Sequence, residues 1–504
     1  MKIMPLLLVA LVIAFIGPLN ATAGDPPQAR LLRHLALFAE DNSLQQANWS
    51  FYVRDITSGQ DILARQADHL LVPASTQKLV TTATAAMILG HDHRFETQLA
   101  HDGHIDSQGV LRGNLYIVGG GDPAFGATQL DDSLSLENVF VQWVSALREA
   151  GVTAVDGHVI ADASVFDDEM VPRRYLWEDV GNYFGAGASG LSVNENEYTV
   201  YFDGGDALGQ PARVVYTDPF IPGMELVNEV LTGPAGSGDR VYIFGGPFIP
   251  ARRLTGTVPL ASKSFPVRGS MHDPPLLVAG TFLEYLAGEA GIETSGLATS
   301  LREASLHGII PAEERYVLHT WHAPDFFHII YRANLASVNT YTENLVKTLG
   351  HEVGGEGSYD AGLEVIRDYW SSQHTMEPPL RFLQDGSGLS PANRLSARQL
   401  MTVMEAASHH PSFPLLINSL PLAGYSGSMA MHLRNTSSEG RLRAKSGFLS
   451  QVMAYAGYTP MQNGNLAAFV IIINHYEGSP ASMRQKIMPL LNTITEHDGS
   501  PLWQ

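Results

Sequence analysis

Ser75 and Lys78, three positions apart in Pro73-Ala74-Ser75-Thr76-Gln77-Lys78, are the residues whose types and spacing point most directly to chemistry. A serine hydroxyl is a weak nucleophile until a base takes its proton. Positions i and i+3 share a helix face, so a helix entered at Ser75 holds the Lys78 amine beside the hydroxyl. The following run, Leu79-Val80-Thr81-Thr82-Ala83-Thr84-Ala85-Ala86-Met87, is rich in small residues and stops at Gly90; with Pro73 ahead of it, it predicts a buried helix. A lysine packed among Ala, Thr and Val loses part of its preference for the charged form and can act as a base. Of the six lysines, only Lys78 has a serine three positions before it. A lone Ser-x-x-Lys also describes a helix cap with a solvated lysine, so the pair needs support from elsewhere in the chain.

Two later elements give that support. Ser337-Val338-Asn339 opens the helical pattern Thr340-Tyr341-Thr342-Glu343-Asn344-Leu345-Val346-Lys347, a capping-type start that by itself would explain the serine and the asparagine. Lys445-Ser446-Gly447 follows Arg441-Leu442-Arg443-Ala444 and leads into an apolar strand from Phe448 to Tyr458, where Gly447 predicts a bulge or a close approach of another backbone. In this order the three elements match Ser-x-x-Lys, Ser-Asp-Asn and Lys-Thr-Gly, the signature of class A β-lactamases and penicillin-binding proteins, with Val and Ser as variants at the middle positions. The chain resembles the class C low-molecular-mass penicillin-binding proteins, the D-alanyl-D-alanine carboxypeptidase/endopeptidase family of the penicillin-binding protein 4 type. Leu115-Tyr116-Ile117-Val118-Gly119-Gly120-Gly121-Asp122-Pro123, Leu191-Ser192-Val193-Asn194-Glu195-Asn196 and Asp385-Gly386-Ser387-Gly388-Leu389-Ser390 extend the resemblance over nearly all of the mature chain.

The resemblance implies a serine DD-peptidase acting on D-alanyl bonds of peptidoglycan stem peptides and acylated by β-lactam antibiotics, with no cofactor and no metal. Ser75 is the expected nucleophile and Lys78 its base. The family's roles place Ser337 as proton relay to the leaving amine and Asn339 as the group orienting Lys78 and the substrate amide. Lys445 and Ser446 are expected at the substrate carboxylate, and the backbone N–H groups of Ser75 and Phe448 in an oxyanion hole behind Gly447. Phe448 departs from the family, which usually has a hydroxyl residue there. Asp162, in Val159-Ile160-Ala161-Asp162-Ala163, is a further candidate for substrate binding, weighed against a plain structural turn. A serine β-lactamase and a non-catalytic cell-wall-binding protein are the alternatives. The large insertion, and the position of Glu343-Asn344 on the helix of the second motif, count against the first; the retained polar residues count against the second.

Met1 to Ile16 gives one positive charge and a short apolar core, and Ala21-Thr22-Ala23 a small-residue cleavage site, so residues 1–23 read as a signal peptide of an exported, periplasmic protein without a transmembrane anchor. The absence of cysteine excludes disulfides and thiol chemistry, and a formal net charge of −20 argues against nucleic acid and anionic membrane surfaces as partners.

The fold class expected is α+β. A helix (Leu31 to Ala39), strands (Trp49 to Ile56 and Asp61 to Arg65) and the Ser75 helix open the chain; strands (Phe448 to Tyr458 and Leu466 to Asn474) and a helix (Ser482 to Glu496) close it. The two ends complete one antiparallel sheet with helices on both faces, a penicillin-binding or serine β-lactamase-like catalytic domain of residues 24–89 and 304–504. Between them, roughly 220 residues exceed any ordinary loop and must fold on their own, mostly as β-structure with helices such as Leu136 to Ala150. By family resemblance this insertion forms one domain of residues 90–165 and 265–303 and a nested domain of residues 166–264. Gly119-Gly120-Gly121 reads as a tight turn, His91, His93, His101 and His104 as solvated loop, and Trp177, Tyr183 and Phe184 as core aromatics rather than a glycan platform.

Overall fold

The computed structural model describes residues 26–502, so the expected signal peptide lies outside the described residues. Two compact units result, one of residues up to Leu79 together with those from Arg394, the other Val80–Asn393.

The first unit is built on the sheet that the two chain ends were expected to share. Its strand order is Arg443–Leu449, Val452–Pro460, Leu466–Asn474, Asn48–Asp55, Gln60–Arg65, and every neighbouring pair is antiparallel. Alternation along the strands divides the side chains between two faces. Trp49, Phe51, Val53, Phe469, Ile471 and Ile473 pack with Leu31 and Phe38 of the helix Pro27–Ala39 and with Ile487, Leu491 and Ile494 of Pro480–Thr495. The opposite face meets the helix Ala397–Ser408, where the Tyr458 hydroxyl donates to the Met404 carbonyl at 2.9 Å. Because both faces are covered, Val452–Pro460 and Leu466–Asn474 are buried almost end to end, which accounts for their unbroken apolar runs.

One strand differs from the sequence expectation. Lys445-Ser446-Gly447 does not lead into a strand but lies within one, Arg443–Leu449, which turns back into Val452–Pro460. The reversal uses Gln451 at φ 56°, a left-handed conformation taken by a residue that gives no turn signal in sequence.

The second unit holds four sheets and is, as expected, mostly β-structure outside its helices. In the largest, Ala298–Ser300, Val159–Asp162 and Leu115–Gly119 run parallel, and Glu96–His101 and Tyr316–His322 add antiparallel. Val139, Phe140, Trp143 and Leu147 of the helix Leu136–Glu149 lie on one stripe and enter a core with Phe125 and Phe282. The helices Phe326–Leu335, Asn339–Leu349 and Tyr359–Gln373 belong to the same unit. Trp177 and Tyr183 are not core residues: the short helix Trp177–Val180 buries only Val180, leaving Trp177 62% exposed, and the Arg268 guanidinium covers the Tyr183 ring at 3.6 Å.

Gly119-Gly120-Gly121 is not the tight turn expected but the end of the strand Leu115–Gly119 running on to a turn at residues 123–126; between them Asp122 is a buried carboxyl with one oxygen on the Ala124 amide at 2.8 Å. Burial pushes its pKa from the ordinary 3.8 up to about 7. The unfolded chain therefore loses this proton at lower pH than the folded one, and the group's contribution to stability declines as pH rises from about 4 to about 7. Asp122→Asn is expected to shrink the fall in thermal midpoint between about pH 4 and about pH 8, because the amide cannot ionise; scanning calorimetry at the two pH values checks this.

Candidate active site

The nucleophile turn is tighter than the sequence suggested. Pro73 and Ala74 break the chain direction, Ala74 at φ 47°, and residues Ala74–Gln77 form a 3₁₀ turn before the α-helix Lys78–Ile88 begins. The expected α-helix at Ser75 therefore starts three residues later. The 3₁₀ geometry superposes positions i and i+3, so the side-chain pairing survives: the Lys78 Nζ donates to the Ser75 Oγ at 3.1 Å. Lys78 is fully buried, while Ser75 keeps partial exposure, the arrangement a base and an accessible nucleophile require.

The threonines of the following helix explain its composition. Thr81 Oγ1 donates to the Gly386 carbonyl at 2.7 Å, Thr84 Oγ1 accepts from the Trp370 indole at 2.8 Å, and Thr82 Oγ1 accepts from Asn334 at 3.2 Å. A helix covered on all sides needs small residues, and its few hydroxyls find partners on the elements that cover it.

Lys445 comes from Arg443–Leu449, the edge strand of the first unit's sheet. Its side chain is 1% exposed, and its Nζ donates to the Ser446 carbonyl at 2.9 Å. Burial, and then the charge of nearby Lys78, hold its pKa well below the ordinary lysine value. A Cβ placed on Gly447 would stand 2.8 Å from the Pro73 carbonyl and 3.0 Å from the Ser75 nitrogen, so this glycine marks close approach of strand and nucleophile turn, not a bulge. The Ser446 hydroxyl donates to the Ser428 hydroxyl at 2.7 Å, and the Phe448 ring is 52% exposed.

In the second unit, Ser337 is held at φ 61° between the helices Phe326–Leu335 and Asn339–Leu349. The capping explanation fails here, because Val338 occupies the cap position and no side chain caps the helix. Asn339 Nδ2 donates to the Phe184 carbonyl at 2.6 Å. Along the same helix Glu343 is fully buried, taking the Gly386 and Ser387 amides at 3.0 and 2.9 Å and the Tyr175 hydroxyl at 2.8 Å. Burial, then the neighbouring Asp385 carboxylate, raise its pKa to about 7. Glu343 thus anchors the Asp385–Ser390 segment, to which the sequence alone gives no role. Asp162 ends a buried strand, paired with Arg315 and accepting the Ser164 amide at 2.9 Å. His93 packs edge-on against Phe95 and Phe326, and His101 lies against Tyr316.

Similarity to known proteins extends over nearly the whole described chain. The model of the D-Ala-D-Ala carboxypeptidase 3 (S13) family matches residues 31–494. A D-alanyl-D-alanine carboxypeptidase of Actinomadura sp. (strain R39) is 29% identical over 500 residues, covering 96% of this chain and 88% of that protein. The D-alanyl-D-alanine carboxypeptidase DacB of Haemophilus influenzae is 23% identical over 455 residues, covering 88% and 89%. The crystal structure of penicillin binding protein 4 (dacB) from Haemophilus influenzae superposes with a TM-score of 0.74 at 20% identity, over 92% of this chain and 97% of that one. A second structure of that protein, complexed with a novel β-lactam, gives 0.70 at 19% identity over 91% and 97%. The fold is that of the penicillin-binding proteins, and the chain belongs to the D-Ala-D-Ala carboxypeptidase 3 (S13) family.

Proposed function

We propose that the chain is a serine-type DD-peptidase, working through an acyl-enzyme on D-alanyl bonds of peptidoglycan stem peptides as carboxypeptidase, endopeptidase or both, and that β-lactams acylate it. The observation that carries this reading is the 3.1 Å contact between the Ser75 hydroxyl and the fully buried Lys78 amine, in a member of a carboxypeptidase family. A β-lactam complex of a protein with the same fold supports the antibiotic as ligand.

In the proposed reaction the Ser75 Oγ attacks the D-alanyl carbonyl carbon and its proton passes to the free amine of Lys78. The resulting oxyanion accepts hydrogen bonds from the backbone N–H groups of Ser75 and Phe448. When the C–N bond breaks, the departing amine takes a proton relayed by Ser337, with Asn339 as the orienting amide. Water, deprotonated by Lys78, then attacks the ester, and Ser75 recovers its proton as the acid leaves. Lys445 and Ser446 receive the carboxylate beside the scissile bond. A terminal D-alanine and a crosslink to the D-centre of diaminopimelate both present such a carboxylate, so one site serves both reactions. The edge strand offers the extended peptide a row of backbone partners. Asp162, already paired with Arg315, is assigned to shaping the insertion and not to the chemistry. The insertion is taken as two domains, the inner one spanning about residues 166–264, and the compartment as the periplasm.

Ser75→Ala is expected to abolish labelling by a fluorescent penicillin and to leave the thermal transition nearly unchanged, since only the nucleophilic oxygen is lost; retained labelling would sink the assignment. Mass spectrometry of crosslinked muropeptides after incubation then separates loss of terminal D-alanine from scission of the crosslink.

Gly447→Ala forces a methyl group toward the Pro73 carbonyl and Ser75 nitrogen, shifting strand and turn apart at the proposed oxyanion hole. The rate of D-alanine release should fall by about 100-fold or more with the far-ultraviolet circular dichroism unaltered, because an oxyanion donor contributes about 2.7–4 kcal/mol. Phe448→Thr restores a hydroxyl beside the carboxylate clamp and should raise kcat/KM for a D-alanyl-D-alanine peptide by about two- to tenfold, the worth of one hydrogen bond. If Phe448 instead packs on an apolar part of the native substrate, the same change will slow cleavage of crosslinked muropeptides and leave the small peptide unaffected.

A further inference from the structure

The segment Leu191-Ser192-Val193-Asn194-Glu195-Asn196 has no part in the reaction as derived, yet it is built around a conformational oddity. Asn194, Glu195 and Asn196 stand in succession at φ 49°, 59° and 57°. Asparagine tolerates the left-handed region through local side-chain hydrogen bonds, but glutamate does not, and a strained residue of this kind persists only where its surroundings fix it. Asn196 provides part of that fixation, its side chain bonding the Val193 amide at 3.0 Å, the Gly187 carbonyl at 2.9 Å and the Ser192 hydroxyl at 3.1 Å.

What the turn presents is the Glu195 carboxylate, 1% exposed and bidentate on Arg332, with Oε1 to Nε at 2.6 Å and Oε2 to Nη2 at 2.9 Å. Arg332 lies on Phe326–Leu335, the helix that runs into Ser337. The backbone carbonyl of the same Glu195 accepts from Thr340 Oγ1 at 3.3 Å, on the helix that leaves Ser337. Thr340 Oγ1 also reaches the Ala186 carbonyl at 3.3 Å, and Asn339 Nδ2 reaches that of Phe184 at 2.6 Å. Tyr341, buried one position further along, has its phenol pKa raised by burial and then by the Glu195 charge. One residue therefore grips both helices that flank the Ser337-Val338-Asn339 turn, by its side chain on one side and its backbone on the other.

We propose that Glu195 is a positioning residue for the reaction: through Arg332 and Thr340 it holds Ser337 in its left-handed conformation and fixes the placement of Asn339. This rests on the reading that Ser337 and Asn339 serve the chemistry. A planar guanidinium held by two parallel bonds fixes orientation as well as distance, so the helix end cannot rotate without losing one of them. Small displacements of groups acting in the transition state lower turnover more than binding.

The test uses the full chain, with active sites counted by penicillin titration. Glu195→Gln keeps the side chain's size and loses the bidentate charge pair; kcat for a D-alanyl-D-alanine peptide is expected to fall by about 10- to 100-fold with KM changed less than about threefold. In a Ser337→Ala background the same change is expected to cost less than about twofold more, because the group it positions is already gone. Should Glu195→Gln fail to fold, Thr340→Val, which deletes only the hydroxyl contacts, must show the same selective loss of kcat at about three- to tenfold. An unchanged kcat per titrated site, or losses that multiply fully in the Ser337→Ala background, would overturn the proposal. Full activity of Ser337→Ala by itself would instead overturn the catalytic reading on which it rests.

Discussion

Two lysine side chains, Lys78 and Lys445, lie almost wholly out of water and close enough for each to bear on the other's charge. Keeping one ammonium buried costs several kcal/mol, and keeping two together adds their repulsion. Burial and the charge of Lys78 therefore disfavour the charged form of Lys445, and that constraint bears on the proposed chemistry. In the proposed reaction the base beside Ser75 is a free lysine amine. A substrate carboxylate at the proposed clamp favours the charged form of Lys445, which burial otherwise disfavours.

Such a pair needs a frame that neither lets water in nor lets the amines part. The sheet provides it. Lys445 sits on an edge strand whose neighbours, Val452–Pro460 and Leu466–Asn474, are buried on both faces, so the strand carrying the lysine is fixed by the best-packed part of the unit. Gly447 allows the Ser75 turn to come within van der Waals distance of that strand, closer than any side chain would permit. An edge strand is ordinarily a hazard because it invites pairing with other chains. Here that edge is partly covered, the Ala444 amide donating to the Pro421 carbonyl at 2.9 Å, and in the proposed reaction the strand also receives an extended peptide.

The parts of the site written in local sequence were legible. Ser75 and Lys78 announce themselves by a spacing that survives the change from α to 3₁₀ geometry, and the five-stranded sheet follows from apolar runs at both chain ends that need each other. The turn chemistry was not legible, because Ala74 and Gln451 take left-handed conformations that glycine or asparagine would have signalled. Nor was the bond between Glu195 and Arg332, 137 positions apart, since nothing local in either segment reports a partner so distant. Trp177 misled for a different reason: composition favours burial of an aromatic residue, but a four-residue helix has only one side to bury, and Val180 occupies it.

Four of the left-handed residues without glycine lie on segments that carry or adjoin candidate site residues, while others, such as Phe248, Thr375 and His475, lie elsewhere. Ala74 precedes the nucleophile, Ser337 opens the second motif, Gln451 turns the strand that bears Lys445, and Glu195 faces the helix leading to Ser337. Each such residue costs on the order of 1 kcal/mol or more, which the surrounding packing must offset. A glycine would relieve the strain but would also free the unfolded chain and loosen the turn. Keeping a side chain at these positions narrows each turn to fewer conformations, at a local cost in stability. The strain is thus the counterpart of the buried lysines: both are unfavourable locally, and both are sustained by well-packed surroundings.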